Sequence, residues 1–158
     1  MCFRQIISIS QGLLVPIIAC ITVYIAYQQL RTNQQKLKLK IYDRRLRIYE
    51  EVKKILSLIL RTAKPQFLDL MNFRMASSEA DFLFDGREIR QYIDEIVTHG
   101  LKLEAWNNEY RDYTQIASAP PGYDPIKVSE GMDKELKWFS GQFDVACEKF
   151  RKYLDISK

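Results

Sequence analysis

Three patterns of apolar and polar positions follow one another along the chain. From Gln5 to Leu30, between Arg4 and Arg31, there is no Asp, Glu, Lys, Arg or His, and from Leu13 to Tyr27 nearly every side chain is apolar. At about 1.5 Å rise per residue, some 20 helical residues cross the roughly 30 Å hydrocarbon layer of a bilayer. This run predicts one transmembrane helix. From Lys40 to Leu60 the period becomes seven: Lys40-Ile41-Tyr42, Arg47-Ile48-Tyr49, Lys54-Ile55-Leu56. Leu39/Leu46/Lys53 and Arg45/Val52/Ile59 share that period, which predicts a helix packed along its length. Asp43/Arg47 and Glu50/Lys54, four apart with the acid first, are expected to pair. No Gly or Pro lies between Thr22 and Ala63, so one continuous helix is expected to carry both stretches.

The third pattern is amphipathic with a helical period. Pro65 ends the first helix and is expected to open a short second one carrying Phe67, Leu68, Met71 and Met75. Asp81-Phe82-Leu83-Phe84-Asp85-Gly86 reads as a turn whose apolar residues tuck into the core, and Asp85 with Glu88 as a capping pair. A long helix follows, with Ile89, Ile93, Ile96, Leu103, Trp106, Tyr110 and Tyr113 on one face. Ala119-Pro120-Pro121-Gly122-Tyr123-Asp124-Pro125 is a loop by composition. One last helix carries Met132, Leu136, Phe139, Phe143, Ala146, Phe150 and Tyr153. The fold class is therefore all-α: a transmembrane anchor over residues 1–32, then an antiparallel bundle of about four helices over residues 33–158.

Charge adds an address. The net charge is +4, but seven basic residues face one acid between Arg31 and Arg47, whereas from Ile48 onward nineteen acids exceed sixteen bases. The basic excess beside the apolar run places the C-terminal side in the cytoplasm and the N-terminus outside, in a bacterium the inner membrane. A slightly acidic domain argues against binding a nucleic-acid duplex. Ile17-Ile18-Ala19-Cys20 looks like a lipoprotein cleavage box, yet apolar residues continue to Tyr27, so the run reads as an uncleaved anchor. Cys2, Cys20 and Cys147 have neither disulfide nor metal-ligand spacing. Ser8, Gly12, Ala19 and Ala26 place small residues on one helix face, a surface for close packing between anchors, and Pro16 predicts a kink. At roughly 100° per residue, Ile48 and Ile55 fall within about 40° of Ala26, so one seam for a homo-oligomer is expected.

Tyr42-Asp43-Arg44-Arg45, continued by Tyr49-Glu50, with Phe82-Leu83-Phe84 and the closing Trp138-Phe139, Phe143, Lys149-Phe150 and Tyr153-Leu154, resembles a group of small, uncharacterised bacterial single-pass membrane proteins. The resemblance implies an anchor and one helical domain. It carries over no catalytic residue.

Reactive constellations are sparse. His99 is the only histidine, which excludes a two-His metal site and the Glu-x-x-His pairs of a di-iron bundle. It reads as a surface or internally satisfied histidine. No Gly-rich phosphate loop or serine-nucleophile turn occurs. Asp94/Glu95 and Glu50/Glu51 are adjacent and diverge on a helix, as a solvated face does. No enzymatic activity and no cofactor is expected. Arg31, Lys36, Lys38, Lys40, Arg44, Arg45 and Arg47 are the candidates for anionic lipid headgroups, or for a small anionic ligand between protomers. Trp106, Tyr110, Tyr113 and Tyr123 read as core, with base stacking as the alternative. The expected job is that of a sensor-effector: a cytoplasmic protein or small anionic ligand on the bundle changes anchor packing, as in membrane-acting phage-defence effectors. The alternative is a passive scaffold or accessory subunit recruiting a partner to the inner membrane.

Overall fold

The structure is a computed structural model describing residues 2–111 and 121–155, with side chains from Pro16 onward. It is all-α, a packed four-helix bundle. Helix α1 spans Cys2–Thr62, α2 Phe67–Ala76, α3 Ala80–Leu83, α4 Glu88–Glu109, α5 Pro125–Ser140 and α6 Gln142–Leu154. Two compact units divide it, Met1–Ile41 and Tyr42–Lys158.

Within the first unit, every side chain from Pro16 to Lys40 is exposed. Among the described residues no helix is long and apolar enough to cross a membrane. The run expected to span begins at Gln5, and residues 5–15, including Ser8 and Gly12, lie outside the described side chains. Helix α1 is unbroken from Cys2 to Thr62, with Pro16 inside it.

The second unit begins where the heptads do. Ile48, Val52, Ile55, Leu56 and Ile59 are buried, spaced by four, three, one and three, a single stripe of α1. This corrects the expected seam: Ile48 and Ile55 lie in the protomer's own core and present nothing to a second copy. Of the expected ion pairs, Glu50 gives way to Glu51, which meets Lys54 at 3.4 Å. Helix α1 stops with Ala63 in a left-handed conformation (φ 52°), held by Asn107, whose Nδ2 donates to the Ala63 carbonyl at 2.9 Å. Pro65, two residues on, has no backbone N–H with which to extend the helix, and the left-handed turn at Ala63 is unfavourable for a residue with a β-carbon.

Helix α4 is the hub, packing closely on α5 and α2 and touching α3 and α6. Its inward face is Ile89, Tyr92, Ile93, Ile96, Val97, Gly100 and Leu103. Trp106 is half-buried and Tyr110 is exposed, so the predicted face turns outward at its end; Tyr113 lies outside the described residues. Gly100 receives α2: a β-carbon there would lie 2.5 Å from Leu70 Cδ2.

The structure departs from local expectations at several points. Helix α2 buries Leu70 and Phe73, while Phe67, Leu68 and Met75 face outward. A helix of under three turns with apolar residues on both sides lets the receiving glycine choose the face. Its cap is Gln66, whose backbone N–H donates to Asp69 at 3.3 Å, so Pro65 precedes the helix. Phe84 is buried but Phe82 is 90% exposed. Helix α4 starts at Glu88 after Arg87, without an Asp85 cap; the Glu88 carboxylate instead accepts from Lys152 and lies 3.5 Å from Lys149. The predicted last helix is two, divided at Gly141. Helix α5 opens as its sequence asks, with Asp124 accepting from Ile126 and Lys127 N–H and Pro125 in the first turn.

Candidate functional site

The seven basic candidates fall in both units. Arg31, Lys36, Lys38 and Lys40 are exposed in the first unit, and Arg44 and Arg47 are exposed in the second. Arg44 lies 3.8 Å from Glu79, both well exposed, a pair worth about 0–1 kcal/mol. Arg45 differs. Its Nε donates to the Leu83 carbonyl at 2.8 Å, and its guanidinium stands 5.8 Å from the Phe84 ring centre and 5.6 Å from that of Tyr153. Tyr153 in turn donates its hydroxyl to the Asp85 carbonyl at 2.8 Å. Arg45 is thus a half-buried clamp between α1, the α3 turn and α6, and is committed to the fold.

The most developed polar contact lies between α4 and α5. Glu135 falls at an inward position of the α5 stripe Val128, Met132, Glu135, Phe139, and its side chain is only 6% exposed. A buried carboxylate needs a donor. His99 supplies it, with Nδ1 at 2.5 Å from Glu135 Oε2. The imidazole lies flat on Trp138, ring centres 3.9 Å apart and planes 13° apart, and Trp138 meets Phe139 edge-on. When neutral, the ring must carry its proton on Nδ1 to make this bond. A carboxylate-oriented imidazole is the arrangement of a general base. Beside it, however, is a groove of about 290 Å³ lined by Gln91, Asp94, Glu95 and Thr98, and the Thr98 hydroxyl is spent on the Asp94 carbonyl at 2.7 Å. No activated nucleophile accompanies the pair among these lining residues. The geometry makes a tie between helices.

About two turns further along α4, Trp106 lies against Gly131 of α5; a β-carbon there would sit 2.4 Å from Trp106 Cε2. The ring is used in packing between the two helices. Among the described residues no three His, Cys, Asp or Glu side chains are grouped to hold a metal.

No family model, no curated protein and no solved structure matches the chain.

Titration follows the packing. Burial pushes the Tyr92 phenol well above its ordinary range, and its hydroxyl donates to the Gln142 carbonyl at 2.9 Å. Burial, then Cys147, raises Tyr49. The hydrogen bond from Lys152 holds Glu88 below the usual carboxylate range.

The His99–Glu135 pair could not be foreseen as a pair, since 36 residues separate its members. Its one sequence signal is Glu135 itself, an acid on the stripe that otherwise carries Val128, Met132 and Phe139.

Proposed function

We propose that the chain is a non-enzymatic, single-pass protein of the bacterial inner membrane, with its helical bundle in the cytoplasm, acting as a sensor-effector. One observation carries the reading: the helix that supplies Ile48, Val52, Leu56 and Ile59 to the bundle core also bears the uncharged run 5–30. Ile17, Ile18, Ile21, Val23 and Ile25 of that run have no protein cover. Apolar surface of this extent in water is unfavourable, and hydrocarbon is the medium that suits it. A cytoplasmic protein or small anionic ligand bound by the bundle then alters how anchors of neighbouring copies pack along Ser8, Gly12, Ala19 and Ala26.

The test is crosslinking in native membranes. Gly12→Ile with Ala19→Ile widens the backbone separation and should reduce the crosslinked homo-oligomer several-fold at unchanged abundance. A monomer at native expression would overturn the assembly.

A passive scaffold is the second reading, favoured by the burial of Ile48 and Ile55, which leaves the bundle without the expected cytoplasmic seam. Replacing residues 5–30 by an unrelated transmembrane helix separates the two. A scaffold keeps its partner and its function; an effector loses its function.

A further inference from the structure

We infer that the domain-side edge of the hydrocarbon layer lies at Tyr24, and that Lys36, Lys38 and Lys40 therefore stand beyond the lipid headgroups. The inference rests on the membrane reading above and refines where that membrane sits. The uncharged run from Gln5 to Leu30 has 26 residues, about 39 Å of helix, roughly 9 Å more than the hydrocarbon layer is thick. Part of it must lie outside.

The side chains identify which part. Tyr24 and Tyr27 are each 63% exposed, and Gln28 and Gln29 follow directly. Gln28 Nε2 donates to the Tyr24 hydroxyl at 3.0 Å, which draws the phenol oxygen toward the domain side of the helix. In hydrocarbon this bond would leave the other amide donor and the amide carbonyl without partners, which that medium strongly disfavours. At headgroup level, water and lipid carbonyls meet those groups, and tyrosine rings favour that depth. Thr22, two residues inside, donates its hydroxyl to the Ile18 carbonyl at 2.8 Å and so needs no lipid partner. From Tyr24 back to Arg4 is 20 residues, or about 30 Å, the thickness of the layer itself.

The consequence falls on the basic residues. Measured along the helix, Arg31 stands about 10 Å past the edge, Lys36 about 18 Å and Lys40 about 24 Å. The headgroup region of one leaflet is only about 5–8 Å deep. A tilt of about 20° shortens these distances by less than a tenth. Arg31 can reach back to a lipid phosphate. The three exposed lysines face water, where an anion in solution or an acidic surface can use them.

Impermeant maleimide on open membrane fragments reads this directly, because a thiol in hydrocarbon does not react. The full chain with Cys2→Ser and Cys147→Ser retains Cys20 alone, and Val23→Cys, Leu30→Cys or Lys36→Cys adds one reporter. Cys20 and Val23→Cys should react at less than a tenth of the rate at Lys36→Cys, and Leu30→Cys within about threefold of it. Protection that extends through Leu30→Cys would overturn the Tyr24 edge while leaving the anchor intact. Reaction of Cys20 in undenatured membranes would instead overturn the anchor.

Discussion

His99 Nδ1 lies 2.5 Å from Glu135 Oε2, and this bond holds the one acid on the inward stripe of α5 to the only histidine of the chain. Removing the histidine leaves a buried carboxylate unpaired. His99→Ala should therefore cost about 1–3 kcal/mol, and adding Glu135→Leu should restore much of it, because the stranded charge is then gone. Denaturant unfolding of the full chain in detergent gives the numbers. Equal losses from the single and double variants would contradict the pairing.

The glycines of α4 and α5 give a second test. Gly100→Ala and Gly131→Ala place a carbon against Leu70 and Trp106, and each should cost about 1–3 kcal/mol through forced repacking. Gly141 has nothing within 4 Å of the added carbon, so Gly141→Ala should be neutral or stabilising. Thermal melts should show shifts of several degrees for the first two and none downward for the third.

Arg45 and Arg44 separate a clamp from a surface cation. Arg45→Lys loses the planar fork that reaches the Leu83 carbonyl and should destabilise the bundle by about 1–2 kcal/mol. Arg44→Lys should change stability by less than about 0.5 kcal/mol. Equal effects, read from the same unfolding curves, would remove the clamp.

Alkaline pH tests Tyr92. Its folded-state value is raised above the ordinary phenol value of about 10, so the stability it contributes is present below pH 10 and declines as pH rises from there. Glu88, held low mainly by Lys152, has the opposite sign: its small contribution is present above the ordinary carboxylate range and fades as pH falls through it. Tyr92→Phe should cost about 1 kcal/mol at neutral pH by losing the bond to Gln142, and should flatten the alkaline loss. An unchanged alkaline limb in the variant would assign that loss to Tyr49 or another group.

Helical class, the unbroken α1 and its buried stripe were legible in the sequence because they depend on local rules: an absent breaker and a repeated spacing. The inward Ile89, Ile93, Ile96 and Leu103 were legible for the same reason. The division at Gly141 was not, since the apolar pattern runs through it from Phe139 to Phe143. Nor was the outward turn of Leu68 and Met75, which depends on Gly100 receiving Leu70 from another helix. Arg45 illustrates the limit at the site. Its place among basic residues suggested a free cation, whereas the carbonyl and two rings that occupy it come from positions 83, 84 and 153.

Helix α1 is proposed to serve lipid at one end and the bundle core at the other, and alkaline extraction of membranes reads this. The full chain should stay in the membrane pellet at high pH, and Ile18→Lys with Ile21→Lys should release it to the supernatant with its helical circular-dichroism spectrum retained. Release of the unaltered chain by the same wash would show that α1 is not a membrane anchor.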